Sequence, residues 1–366
     1  MSKVGFTAEV SGKCMTDSYS ATVQFARFCR SAYATPLLLG LILCVATGVR
    51  VHNIHLPGPY FDDVYYSNAA KHFLQQEPLG ALSSVTIGGI WFPLTFSPHT
   101  GTLTVYIEAA FMAVTGNLRH LDRYLNTGYA LVAIVLAYAL AARLLGRGYA
   151  LLLAWILAVL PSFVFWSRVG NHLIFFRSVI GAAFFYLTFR WLDTRENKVL
   201  YLLAFVVGLG LSTRIEAAWL AVGFLVLAVI DGDCRTAVGL VIRSPRVLLI
   251  TLASGLIGGF LFVGNQLANN FPILRQIARN ADVTLYGHAN TAITTNLSRR
   301  AEHIAGLFRG NLFPEYGPTY SNLLWPALLL GSAIFLLYLA LPKTAPKLAS
   351  EKNRFDVSLF SRSQSW

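Results

Sequence analysis

Two adjacent aspartates, Asp62 and Asp63, are the residues of this sequence best suited to acid–base chemistry. They lie in the segment "GPYFDDVYYSNAAKHFLQ", where Pro59 precedes a stretch whose apolar residues recur roughly at helical spacing. A carboxylate at a helix start can simply cap the helix, because the first backbone N–H groups attract negative charge. It can also serve as a general base whose position the cap fixes. Both interpretations remain open from the residues alone.

Three arginines at or near the ends of apolar runs are candidates for binding a phosphate. Arg168 lies in "FWSRVGNHL", Arg214 lies in "LSTRIEA", and Arg177 stands about five residues inside an apolar run. An arginine at such an end either extends to the lipid headgroups or binds a lipid phosphate through paired charge-assisted hydrogen bonds. An ionisable group at the depth of Arg177 normally faces a cavity or a partner. Extension to the lipid headgroups therefore explains Arg177 less well than it explains Arg168 and Arg214.

Four more polar residues are candidate substrate contacts. His99 stands at the start of the segment "PHTGTLTVYIEAAF", Asn171 and His172 follow the arginine of "FWSRVGNHL", and Glu216 stands in "LSTRIEA". A lone histidine at a helix start and a local arginine–glutamate ion pair are the simpler interpretations of His99 and Glu216. The cysteines and histidines show no metal-ligand spacing, so we expect neither a metal nor another cofactor.

The amino-acid composition predicts that the chain is a membrane protein. The chain is 55% hydrophobic and 13% charged, whereas soluble domains carry about 25% charged residues. Lipid admits only helices or closed barrels, and the apolar runs lack the alternation of barrel strands. The sequence therefore predicts an all-α polytopic membrane protein with about eight transmembrane helices, near residues 36–52, 125–143, 148–165, 172–190, 198–212, 215–231, 247–267 and 322–341.

The basic residues predict the orientation of these helices. With eight spans and a cytoplasmic N-terminus, 17 of the 29 lysines and arginines fall in cytoplasmic segments, as the positive-inside rule expects. The net charge of +12 therefore reflects topology and does not indicate nucleic-acid binding. We expect tails at 1–35 and 343–366 in the cytoplasm and one membrane domain at 36–342. The plasma or inner membrane is the expected location.

A ninth apolar segment, residues 100–116, is short and carries Glu108. If it crossed the membrane, every later loop would change side and the basic loops would face outward, so we expect it to lie in the membrane plane. Two large outer segments result, 57–123 and 269–321, and the first should contain in-plane amphipathic helices. The second is rich in arginine, which serves either surface solubility or contact with a lipid or substrate phosphate.

The order of these features over residues 36–232 resembles the GT-C superfamily of polyprenyl-phosphate-sugar-dependent glycosyltransferases. The branch that it resembles contains the protein O-mannosyltransferases and the aminoarabinose transferases. The resemblance is carried by "FDDVYYSNAAKHFL", "SPHTGTLTVYIEAAF", "ARLLGRGYALLLAWILAVLPSFVFWSRVGNHL" and "GLGLSTRIEA". It implies an inverting transfer of a sugar from a dolichyl- or polyprenyl-phosphate donor to a lipid, glycan or protein acceptor on the outer face. Asp62 or Asp63 would be the base, and Arg168, Arg177 and Arg214 would bind the donor phosphate.

Two departures from the family pattern bear on this expectation. Many relatives have an acidic residue shortly after the position of Arg168, where this chain has Asn171 and His172. Relatives also usually continue with further spans or an outer C-terminal domain. A non-catalytic carrier or flippase for a lipid-linked glycan, or an accessory subunit, is the alternative function.

Overall fold

The computed structural model of the protein describes residues 34–56, 61–80, 82–97, 99–116, 120–169, 172–279, 292–309, 330–332 and 334. Most of these residues are helical. In chain order the helices are α1 Ala34–Val51, α2 Phe61–Gln75, α3 Leu103–Thr115, α4 Leu121–Leu144, α5 Arg147–Val159, α6 Pro161–Arg168, α7 His172–Thr194, α8 Asn197–Leu211, α9 Ala218–Ile230, α10 Gly232–Arg243, α11 Pro245–Gly258, α12 Phe260–Ala268, α13 Pro272–Arg279 and α14 Ile293–Arg309. A short 3-10 turn, Ile215–Ala217, precedes α9.

The all-α prediction holds for most of the described chain, but it missed a small antiparallel sheet between α2 and α3. The sheet has the order β1 Ser83–Ile87, β2 Ile90–Ser97 and β3 Thr100–Gly101. Gly88 and Gly89 form the tight turn of the first hairpin with positive φ angles of 60° and 81°, which glycine adopts without strain. The segment from His99 to Gly101, expected to begin a helix, therefore belongs to the sheet region, and α3 begins only at Leu103.

The eight predicted spans are matched only in part. Among the described residues, α1 and α4 are each long and apolar enough to cross a membrane. The number reaches five if the bent pairs α5–α6, Ile215–Ile230 with α10, and α11–α12 each count as one span. The predicted spans at 172–190 and 198–212 fall on α7 and α8. The predicted span at 322–341 lies almost entirely outside the described residues.

A buried arginine supports the break between α5 and α6. Pro161 has no N–H, so it cannot bond the carbonyl of Leu157 one turn earlier, and the two helices meet at a bend of 53°. Arg50 of α1, which is fully buried, donates to the carbonyl oxygens of Leu157 at 3.1 Å and Ala158 at 2.8 Å. It also donates to Ala46 of its own helix at 2.9 Å. Arg50 therefore satisfies carbonyl groups that the helix break exposes.

Glycines allow α8 and α11 to pack backbone against backbone. A Cβ at Gly208 would overlap the carbonyl oxygen of Gly255, and a Cβ at Gly258 would overlap that of Phe205. Small residues are the usual means by which membrane helices approach closely. Ser212, at the end of α8, also donates to the carbonyl of Gly258 at 2.8 Å. The turn that follows α8 is thus anchored to α11.

The helices of the first predicted outer segment form a compact unit with the hairpin. Helices α2 and α3 pack against each other through Ala69, Ala70, Val105 and Ala109, and Trp91 of β2 is buried in the same cluster. Helix α3 has 13 residues. At 1.5 Å per residue that is about 20 Å, shorter than the roughly 30 Å of hydrocarbon in a bilayer. Helix α3 alone is therefore too short to cross the hydrocarbon core, and whether the segment lies in the membrane plane stays a prediction.

Candidate functional site

The turn after α8 is joined to the sheet by main-chain hydrogen bonds. The amide of Gly101 donates to the carbonyl of Thr213 at 2.8 Å, and the amide of Ile215 donates to the carbonyl of His99 at 3.0 Å. Thr100 and Arg214 form an antiparallel bridge between them. The contact brings together two segments that lie more than a hundred residues apart in the chain. The structure therefore brings His99 close to the pair Arg214 and Glu216, although the sequence analysis named them separately.

Arg214 is bound to Glu216 at two points. Its Nε lies 3.0 Å from Oε2, and its Nη2 lies 2.7 Å from Oε1. The ion pair expected from the sequence is therefore present, with the bidentate geometry typical of arginine and carboxylate groups. The pair uses only part of the N–H donors of the guanidinium group. Arg214 thus has a fixed orientation and keeps donors with which it can bind a further acceptor.

Arg177 joins this site from α7. It is partly buried, and it lies within electrostatic range of Arg214, Glu216 and Tyr66. Two guanidinium groups and one carboxylate leave the trio of Arg177, Arg214 and Glu216 with one net positive charge. Such a trio is suited to a singly charged anion, and a phosphodiester is one.

Tyr66 of α2 is a further residue of the candidate site, and the sequence interpretation missed it. It is buried, its ring packs edge-on against Phe96 of β2 at 4.4 Å between centroids, and it lies within electrostatic range of Arg177. Burial also raises the pKa of the neighbouring Tyr65 phenol, so that hydroxyl stays protonated at neutral pH. The sequence feature that could have identified Tyr66 is an aromatic residue one helical turn after the acidic pair. Tyrosines of an ordinary hydrophobic core show the same spacing, so this feature alone does not mark a functional residue.

The acidic pair stands in the first turn of α2. Residues Asp62 and Asp63 precede Tyr66 by one turn, so the helix that carries them also carries a residue within electrostatic range of Arg177. Their side chains are not among those that the structure describes. The same holds for His172, the first residue of α7, and Asn171 lies outside the described residues.

Arg168 contacts the segment that follows α1 and not the turn after α8. Its Nη2 donates to the carbonyl oxygens of His52 at 2.8 Å and Asn53 at 2.7 Å, just after α1 ends. Arg123 of α4 donates to the carbonyl of Ile54 in the same stretch. These arginines hold the chain a few residues before the acidic pair. Arg168 is therefore placed beside the start of the first predicted outer segment.

Both the main chain and the side chain of His99 take part in polar contacts at the candidate site. Its carbonyl accepts from Ile215, and its Nδ1 lies 3.2 Å from the hydroxyl of Ser97. The ring is partly exposed.

Among the described residues, no three His, Cys, Asp or Glu side chains are grouped so that they could hold a metal ion.

The chain is similar to known glycosyltransferases. A family model described as dolichyl-phosphate-mannose-protein mannosyltransferase matches residues 99–257, a stretch that contains His99, Arg168, Arg177, Arg214 and Glu216. The match begins after Asp62 and Asp63. No curated protein matches the chain in sequence. The predicted resemblance to the GT-C superfamily is confirmed by the family match over that stretch.

The solved structures that are similar to this chain include the crystal structure of the oligosaccharyltransferase of Archaeoglobus fulgidus in complex with Zn and sulfate. That structure has 15% sequence identity to this chain and a TM-score of 0.42. The similarity covers 83% of this chain and 40% of that one, so this chain spans well under half the length of the oligosaccharyltransferase.

Proposed function

We propose that this membrane protein is an inverting glycosyltransferase that takes a sugar from a polyprenyl- or dolichyl-phosphate donor. The acceptor is a hydroxyl-bearing lipid, glycan or protein on the non-cytoplasmic face. The observation that carries the proposal is the joining of the 99–101 segment to the turn at 213–215, with Arg177 within electrostatic range of Arg214 and Tyr66. The family match over residues 99–257 supports a glycosyltransferase of the mannosyltransferase type.

Asp62 or Asp63 acts as the base in this reaction. The carboxylate takes the proton of the acceptor hydroxyl as its oxygen attacks the anomeric carbon. The bond between that carbon and the phosphate oxygen breaks, and the electron pair leaves with the polyprenyl phosphate. Attack from the face opposite the leaving group inverts the anomeric centre. A carboxylate suits this role because its position in the first turn of α2 is fixed by the helix.

Arg177 and Arg214 bind the donor phosphate and stabilise its departure. The phosphodiester carries one negative charge, and the leaving phosphate gains a second as the bond breaks. A fixed positive charge therefore interacts more strongly with the transition state than with the bound donor, which lowers the barrier. Glu216 holds Arg214 in place, and Arg168 is a further candidate phosphate ligand. His99, Asn171 and His172 are candidate contacts to the sugar or the acceptor.

The acidic pair is tested by glycolipid profiling of cells that carry wild type, Asp62→Asn, Asp63→Asn or no copy, with membrane protein levels matched. We expect one sugar modification to be lost in the null strain and in at least one aspartate variant, with its polyprenyl-phosphate donor accumulating. Asn keeps the size and polarity of the side chain and removes the base. Full restoration of the modification by both variants would refute the catalytic role and would favour the carrier or accessory function.

A further inference from the structure

Glu108 is a buried carboxylate in the middle of the apolar helix α3, and the reaction proposed above does not use it. Only 1% of the residue is exposed. A buried carboxylate is costly unless hydrogen bonds compensate for its lost hydration. Ser67 of α2 supplies such a bond, since its Oγ donates to Oε1 of Glu108 at 2.6 Å. This short bond links α2 directly to α3.

The bond is connected to the candidate site on two sides. Ser67 directly follows Tyr66, which is within electrostatic range of Arg177. Glu108 is also within electrostatic range of Tyr129 of α4. The ring of Tyr129 packs edge-on against Phe176 at 5.3 Å, and Phe176 directly precedes Arg177. Glu108 is therefore bonded to the helix that carries Tyr66 and is connected through Tyr129 to the helix that carries Arg177.

We propose that Glu108 is a positioning residue that fixes the rotation of α2, and with it the acidic pair, relative to Arg177. This inference rests on the proposed function. Small apolar residues such as Ala69 and Ala109 bring α2 and α3 close together, but apolar contacts are non-directional and tolerate small rotations. The bond from Ser67 is directional and stands one helical turn after Asp63. Since an error of about 1 Å in placing a catalytic group can reduce a rate by about 100-fold, this bond controls turnover.

The kinetic test compares Ser67→Ala, Glu108→Ala and Glu108→Gln in the full-length protein reconstituted in nanodiscs, with dolichyl-phosphate mannose as donor probe and membranes from null cells as acceptor. We expect Ser67→Ala and Glu108→Ala to lower kcat at least about 10-fold while KM for the donor changes less than about 2-fold. Glu108→Gln keeps an acceptor oxygen and should retain most of kcat. The double variant should be no slower than Glu108→Ala alone, because each single change already removes the same hydrogen bond between Ser67 and Glu108.

Matched controls are available on the same protein. Glu77→Gln alters an exposed glutamate just after α2, and Ser254→Ala alters a half-buried serine whose hydroxyl donates to the carbonyl of Ile250 in its own helix. Both should keep wild-type kcat. The positioning role would be refuted if Glu108→Ala retained wild-type kcat per folded molecule, or if the effects of Ser67→Ala and Glu108→Ala multiplied.

A second measurement tests the positioning of α2 without requiring sugar transfer. A spin label attached at Val64, an exposed residue of α2, reports the mobility of the turn that carries the acidic pair. Glu108→Ala and Ser67→Ala should increase its mobility, and Glu108→Gln should not. If wild type shows no sugar transfer while these mobility changes occur, the proposed function fails and the positioning of α2 stands. Unchanged mobility in both alanine variants overturns the positioning role itself.

Discussion

Arg177 and Arg214 lie within electrostatic range of each other, and Arg214 is bound bidentately by Glu216. Arg177 stands about five residues inside the apolar run of α7, where a charged side chain is costly unless it faces a cavity or a partner. A positive charge kept at that depth is suited to holding an anionic group of the donor. We therefore expect Arg177 to contribute to donor binding.

The first prediction concerns Arg177→Gln. We expect KM for the lipid-phosphate donor to rise about 10- to 100-fold, because hydrogen bonds to charged groups contribute about 1.5–3 kcal/mol each. The change should be measured with the reconstituted full-length protein at matched protein levels. Arg143→Gln is the control, since Arg143 also belongs to an ion pair, with Asp193. An equal rise in KM for both variants would mean that Arg177 has no special role in binding.

The second prediction concerns Arg50, a structural arginine. Replacement by alanine leaves the carbonyl groups of Leu157 and Ala158 without their buried donor. At about 1–3 kcal/mol for each of the two unsatisfied groups, we expect a loss of about 2–6 kcal/mol in stability. Thermal unfolding in detergent measures it, with the exposed Arg147→Ala as control. An Arg50→Ala protein as stable as wild type would show that water or a rearrangement satisfies these carbonyls.

At the scale of elements, the site depends on a junction between β3 and the turn after α8. The junction is tight because Gly101 has no side chain, and a Cβ there would overlap the carbonyl oxygen of Ser212. The same turn is held on its other side by the bond from Ser212 to Gly258. The position of Arg214 is therefore set by two elements far from it in sequence.

The third prediction follows from this junction. Gly101→Ala should separate β3 from the turn, lower stability by about 1–3 kcal/mol and reduce sugar transfer at least about 10-fold. Transfer and thermal unfolding should be measured on the same preparation. Gly128→Ala is the control, because a Cβ at that position in α4 meets no other atom within 4 Å. Normal transfer by Gly101→Ala would show that the junction does not determine the site.

At the scale of the whole molecule, helix ends predicted to share a side of the membrane contact one another. Arg143 at the end of α4 pairs with Asp193 near the end of α7, and both were expected in the cytoplasm. At the other predicted face, Arg168 contacts the end of α1, and the turn after α8 contacts β3. The predicted topology expects this grouping of helix ends, and the side of the membrane that each group faces stays a prediction.

The fourth prediction tests the sidedness. In a chain whose own cysteines are replaced, Val64→Cys should react with a membrane-impermeant maleimide from outside the cell. Thr236→Cys, an exposed position in α10, should react only after the membrane is opened. The reverse pattern of labelling would overturn the predicted orientation and place the acidic pair in the cytoplasm.

The sequence by itself determined the features that depend on local composition. Helices α1 and α4 follow from the length of their apolar runs, and the acidic pair, Arg177 and Arg214 stand out because charge is costly beside such runs. The hairpin was missed because its residues, including Trp91 and Phe96, also suit a buried helix face. Only the tertiary structure joined His99 to the turn at Arg214, assigned Arg50 to a helix break, and showed Ser67 bonded to Glu108. These contacts link residues between about 40 and 115 positions apart, and local periodicity carries no information about pairing at such separations.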